Sequence, residues 1–170
     1  MSRPIRAGVA LASVAVLVVV GLVVSSARSG GIKPGPLPGR CGDPVSEKLD
    51  SRSLQHVFPG APPPSFASDQ PTSGPHSPVE LAGVQLEPLS PVLQVGVLEE
   101  GNILLQHQGL DDRAMAQLEL LAGPKIVVAP GRNLPDPVLA TAWTVKLRCD
   151  GVDAQALRTF IERFVGKGPG

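Results

Sequence analysis

The side chains in this sequence best suited to holding a metal ion are three histidines, His56, His76 and His107, and two adjacent glutamates, Glu99 and Glu100. Imidazole nitrogen and carboxylate oxygen are donors that zinc and copper accept, and three or four converging would make a site. The spacing has no local signature such as HExxH, so the fold must bring the donors together. The expected set is His56, His76 and a glutamate, with copper or zinc as the ion. Glu99-Glu100-Gly101-Asn102 reads as a turn between strands. Consecutive strand residues point to opposite faces, so only one of the two glutamates could enter a site. Without convergence, His76 would hydrogen-bond its own turn, and the other histidines and the glutamates would be solvated.

Nucleophilic chemistry has a weaker footing. Ser73 lies three residues before His76, but a serine needs an adjacent base and that base an orienting acid. Thr72-Ser73-Gly74 is not the G-x-S-x-G elbow. In a proline-framed turn these hydroxyls are expected to bond nearby backbone. Trp143, the lone tryptophan, is expected in the core, with ligand stacking as the alternative.

The elements that must position these groups are short. Gly and Pro number 19 each in 170 residues, about twice average usage. With no Tyr, four Phe and one Trp, the core must rest on Val, Leu, Ile and Ala. Val92 to Val97 and Ile103 to Gln106 read as strands. A helix runs from a cap at Asp111 or Asp112 through Leu121 and ends at Gly123-Pro124. Lys125 to Ala129 reads as a short buried strand, and Val138 to Arg148 as the best strand in the chain. Asp153 caps a last helix with Leu157, Phe160, Ile161 and Phe164 at helical spacing. The expected class is α+β: a small sheet with two helices on one face. Asp43 to Pro78 is irregular and proline-rich, and is expected to wrap the core as an ordered coat.

Ahead of that domain, Ala7 to Ala27 carries no charge and is bracketed by Arg6 and Arg28. A membrane-crossing helix takes about 20 such residues. A cleaved signal peptide would have a shorter apolar region, about 7–15 residues, before a small-residue site such as Ser25-Ser26-Ala27. An uncleaved anchor is the preferred reading. The expected organisation is a cytoplasmic tail at 1–6, a transmembrane helix at 7–27, a flexible linker at 28–42 and an extracytoplasmic domain at 43–170. Flanking charge is nearly balanced, so orientation follows the export-like order of basic start, apolar run and small residues.

Cys41 and Cys149, the only cysteines, are too far apart for a CxxC motif and are a candidate disulfide outside the cytoplasm. Removing Arg3 and Arg6 from the 15 basic residues leaves 13 against 15 acidic ones beyond the apolar run, a net charge of −2. No basic patch appears there, which argues against nucleic acid as a partner.

Pro71-Thr72-Ser73-Gly74-Pro75-His76, with Ala82-Gly83-Val84, Glu87-Pro88, Leu98-Glu99, Gly101 and Ala140-Thr141-Ala142-Trp143, resembles an uncharacterised family of bacterial membrane-anchored extracytoplasmic domains of unknown function. The resemblance spans roughly His56 to Phe164. It implies an N-terminal membrane segment and histidines at positions 56 and 76. It also implies histidines where this chain has Gly96 and Glu100, and often a tyrosine where it has Phe66. If the family builds a metal site from its histidines, this member has lost two of the ligands. The first functional expectation is therefore a non-enzymatic binding or interaction domain, meeting a membrane through its helix or another envelope protein. Metal binding comes second and hydrolysis third.

Overall fold

The computed structural model describes residues 41–169. The expected anchor at 7–27 lies outside them. Among the described residues no helix is long and apolar enough to cross a membrane.

The architecture is α+β, with six strands and three helices. The strands are β1 (Val45–Ser46), β2 (Gly83–Val84), β3 (Ile103–His107), β4 (Ile126–Pro130), β5 (Val138–Ala142) and β6 (Val145–Cys149); the helices are α1 (Pro91–Glu99), α2 (Asp112–Glu119) and α3 (Ala154–Phe164). They form one mixed sheet in the order β1-β6-β5-β3-β4-β2. β3 is its centre, parallel to β4 and antiparallel to β5.

Alternation along the strands sends side chains to two cores. Ile103, Leu105, Val128, Val138, Ala140 and Leu147 pack with Leu118 of α2 and with Leu157, Phe160 and Ile161 of α3. Leu104, Val127 and Ala129 point the other way and pack with Val97 and Leu98 of α1. Trp143, expected inside the core, packs against the edge of this second core and is only partly buried. Helices therefore cover both faces, and there are three of them where two on one face were expected.

The added helix is α1, where a strand was expected over Val92–Val97. A short Val-rich apolar run suits a buried strand or a buried helix equally, and periodicity cannot separate the two. Its ends decide. Ser90 stands at the N-cap and Pro91 at the first helical position, where its fixed φ is pre-organised and its missing N–H costs nothing. At the other end Gly101 adopts φ +72°. Its N–H donates to Leu98 O (3.0 Å), and Asn102 N–H donates to Val97 O (3.3 Å). That pair of bonds is a Schellman motif, so Glu99 to Asn102 ends a helix and is not a strand-to-strand turn.

The expected long strand at 138–148 is a hairpin. Ala142 pairs with Val145, and Trp143-Thr144 turns the chain, with Thr144 at φ 57°. The usual Asn-Gly or Asp-Gly signal is missing, so the turn is invisible in the sequence. It is held from outside: Thr144 N–H donates to Thr72 O (3.1 Å), and Glu47 N–H donates to Thr144 O (2.7 Å).

The coat is ordered through polar bonds. Arg52 pairs with Asp50 at 2.7 Å and also donates to Ser65 O. This pairing holds the Asp50 carboxyl below the usual carboxylate range. Cys41 and Cys149 form the expected disulfide across a sequence separation of 108. It fixes the start of the described chain to the end of β6.

In the chain-entropy picture, closing a loop of that length stabilises the fold by about 4–5 kcal/mol. Urea unfolding of a Cys41→Ser, Cys149→Ser double variant should show a loss of that order. An unchanged midpoint would mean the bridge does not form in solution.

Candidate metal site

His76 is the anchor of the site, and the proline-rich motif exists to place it. Residues 71–76 are all buried. Thr72 Oγ1 donates to Glu47 Oε2 (2.7 Å), and Ser73 Oγ accepts from Asp50 N–H (3.0 Å). Thr72 and Ser73 thus tie the motif to the coat; the expected bonds to nearby backbone are not what these hydroxyls make, since Thr72 reaches a side-chain carboxylate and Ser73 a backbone N–H 23 residues away. The Ser73 hydroxyl is engaged with Asp50 N–H and forms no bond to the His76 ring, so the hydrolase reading gains no nucleophile–base pair. Gly74 is at φ +126°, with Asp50 Oδ2 and the Phe66 ring close to where a Cβ would stand. Only glycine fits there without strain.

Gly74 O accepts a hydrogen bond from His76 Nδ1 at 2.9 Å. A carbonyl can only accept, so Nδ1 carries the proton and Nε2 is the other functional nitrogen. That nitrogen is fully buried and has no hydrogen-bond partner. Glu99 Oε2 stands 2.7 Å from it, at ion-pair distance. Two sets of lone pairs cannot face each other in a buried site at this distance unless a cation lies between them, either a proton or a metal ion.

The third donor comes from the coat. His56 and His76 pair as an isolated parallel bridge, through Val57 N–H to His76 O (2.7 Å) and His76 N–H to Gln55 O (3.0 Å). The two imidazoles meet edge-on with centroids 4.9 Å apart. His56 Nε2 lies 3.9 Å from Glu99 Oε1. One donor atom from each of His56, His76 and Glu99 lies within 4.8 Å of the others. Tetrahedral zinc at about 2.0–2.2 Å from each ligand needs donors about 3.3 Å apart, so the three side chains must draw together around an ion from their separation of up to 4.8 Å. His76 is wholly buried, Glu99 is 27% exposed and His56 is 47% exposed, so the site is anchored inside and open at its rim.

Of the residues singled out in the sequence, His56, His76 and Glu99 converge. Glu100 does not: it is the C-cap of α1, is exposed, and offers its carbonyl to Lys125 Nζ (3.1 Å). His107 ends β3 and is not part of the group. Gly96, where the resembled family has a histidine, packs against Ser77. A Cβ there would fall 2.1 Å from Ser77 O. Sequence reasoning placed Glu99 on a turn and so missed that a helix end presents it; Ser90-Pro91 and Gly101 were the available signals.

The family model for a protein of unknown function (DUF3105) matches residues 63–170, and the chain belongs to that family. His76, Gly96 and Glu99 lie inside the matched region, and His56 lies ahead of it. No curated protein and no solved structure matches the chain.

Burial lowers the pKa of His107 from 6.5, with Glu119 opposing the shift more weakly. Below that value the unfolded chain binds a proton that the folded chain resists, so stability should rise with pH up to about 6.5 and then level. Urea midpoints measured at a series of pH values should show a shallower rise in His107→Gln; an identical slope would contradict the assignment.

Proposed function

We propose that this member of the DUF3105 family is an extracytoplasmic metal-binding domain, held at a membrane by its apolar segment at 7–27. His56, His76 and Glu99 bind a single zinc or copper ion. The observation that carries this reading is the buried Nε2 of His76. Its ring is fixed through Nδ1, it has no hydrogen-bond partner, and a carboxylate oxygen lies 2.7 Å away. A carbonyl that orients a histidine through its far nitrogen is the usual support behind a metal-bound imidazole.

Three protein donors leave a coordination position for water or another ligand, the arrangement of exchangeable and catalytic sites and not of closed structural ones. The partly exposed His56 and Glu99 give an ion a way in.

A second reading, contact with another envelope protein, is supported by a different observation. An apolar groove of about 290 Å³ lies between the coat and the start of α1, lined by residues including Phe58, Pro63, Phe66 and Pro91. Leu54 and Phe58 are among the most exposed large apolar side chains described.

Full-length oxidised protein should be loaded with zinc or copper, desalted and assayed for metal by mass spectrometry. The wild type should retain close to a single ion per chain. His76→Ala, Glu99→Gln and His56→Ala each remove a donor and should retain almost none. No retained metal in the wild type, or equal retention in all four, would overturn the proposal.

A further inference from the structure

Two backbone segments meet at the site far more closely than side-chain packing allows. Ser77 N–H donates to Val92 O on α1 (3.2 Å), so the chain just after His76 lies along the helix. One turn further, Ser77 O faces Gly96. A Cβ at that position would stand 2.1 Å from Ser77 O and 3.1 Å from Val79 Cγ1. Real Cβ atoms do not approach a backbone oxygen at 2.1 Å, so any other residue at position 96 must move one segment away from the other. Glu99 follows Gly96 by three residues, on the same side of the helix. His76 immediately precedes Ser77.

We infer that Gly96 is the positioning residue of the metal site: its missing side chain lets the His76–Ser77 backbone settle on α1, and that contact brings His76 Nε2 against the Glu99 carboxylate. The inference rests on the metal-site reading above and deepens it. Helix propensity points the other way. Alanine is the better helix former, so a glycine in the middle of a nine-residue helix weakens it unless something requires the space. Here the neighbour is a backbone oxygen, which cannot swing aside as a flexible side chain would. Restoring ordinary contact from 2.1 Å needs a shift of about an ångström or more at Ser77, several times the roughly 0.2 Å tolerance of a metal–ligand distance. Gly96 touches no metal. It acts through the spacing of two ligands that do.

The test separates positioning from general packing. Gly96→Ala is compared with Val97→Ala, which hollows the second core from the neighbouring residue; Val97 is fully buried there. Zinc affinity is measured by calorimetry on the full-length protein, and copper(II) coordination by electron paramagnetic resonance. Gly96→Ala should bind zinc about 10–100-fold more weakly and lose one nitrogen from the copper spectrum. Val97→Ala should melt earlier yet keep the wild-type affinity and spectrum. Equal affinity and spectrum in Gly96→Ala and wild type would overturn the inference and leave the metal site standing; no metal uptake by the wild type would overturn both.

Should Gly96→Ala fail to fold, Ser77→Pro decides. It removes the N–H that bonds Val92 O, and Ser77→Ala serves as its control because it keeps that N–H while losing the hydroxyl bond to Val57 O. Weaker zinc binding in Ser77→Pro than in Ser77→Ala supports the inference. No difference between them overturns it.

Discussion

The site depends on one buried imidazole whose two nitrogens have different fates. Nδ1 of His76 is committed to the Gly74 carbonyl, and this fixes both the ring and its tautomer. Nε2 is then left in the interior facing Glu99. A buried polar atom without a partner is expensive, and it persists only where the surrounding structure over-determines it. Here that surrounding structure is the Pro71–His76 motif. It is buried throughout, bonded through Thr72 to the β5–β6 hairpin, and bonded through Ser73 to the coat.

From that constraint the rest of the arrangement follows in order. The mixed sheet provides two apolar faces. One is closed by α2 and α3, and the other receives α1. α1 ends in a Schellman turn that leaves Glu99 at the helix terminus, and Gly96 permits the His76–Ser77 backbone to lie against the helix. The coat crosses His76 by a short parallel bridge and delivers His56 to the rim. The disulfide and the Asp50–Arg52 pair restrain regions of chain that have little regular structure of their own. Each donor thus arrives from a different kind of element: an irregular coat, a proline-framed turn and a helix end.

Parts of this were legible in the sequence, for physical reasons. Helices α2 and α3 announce themselves by an aspartate cap and an amphipathic face, and both caps are made as expected, Asp111 to Ala114 N–H and Asp153 to Ala156 N–H. The disulfide was readable because the chain has only two cysteines, too far apart for a local metal or redox motif. Donor chemistry offered three histidines and two adjacent glutamates, and the family resemblance singled out His56 and His76 among them. The identity of α1 was hidden, because Val95 and Val97 carry strand propensity and its one mid-helix polar residue, Gln94, is buried with its neighbours, so no polar stripe marks a period. The hairpin at Trp143-Thr144 was hidden because tertiary bonds to Thr72 and Glu47 hold a turn that its own residues do not encode. The choice between Glu99 and Glu100 was hidden for the same reason as α1: it is a matter of which side of a helix end faces His76.

The central claim is that the cation between His76 Nε2 and Glu99 is a metal ion and not a proton. Crystals of the full domain soaked in zinc, with diffraction collected on either side of the zinc absorption edge, test it most directly. The account predicts an anomalous peak about 2.0–2.2 Å from His76 Nε2, Glu99 and His56, with Nδ1 still bonded to the Gly74 carbonyl. A map without a peak there, in which His76 Nε2 and Glu99 share a well-aligned hydrogen bond, would contradict it.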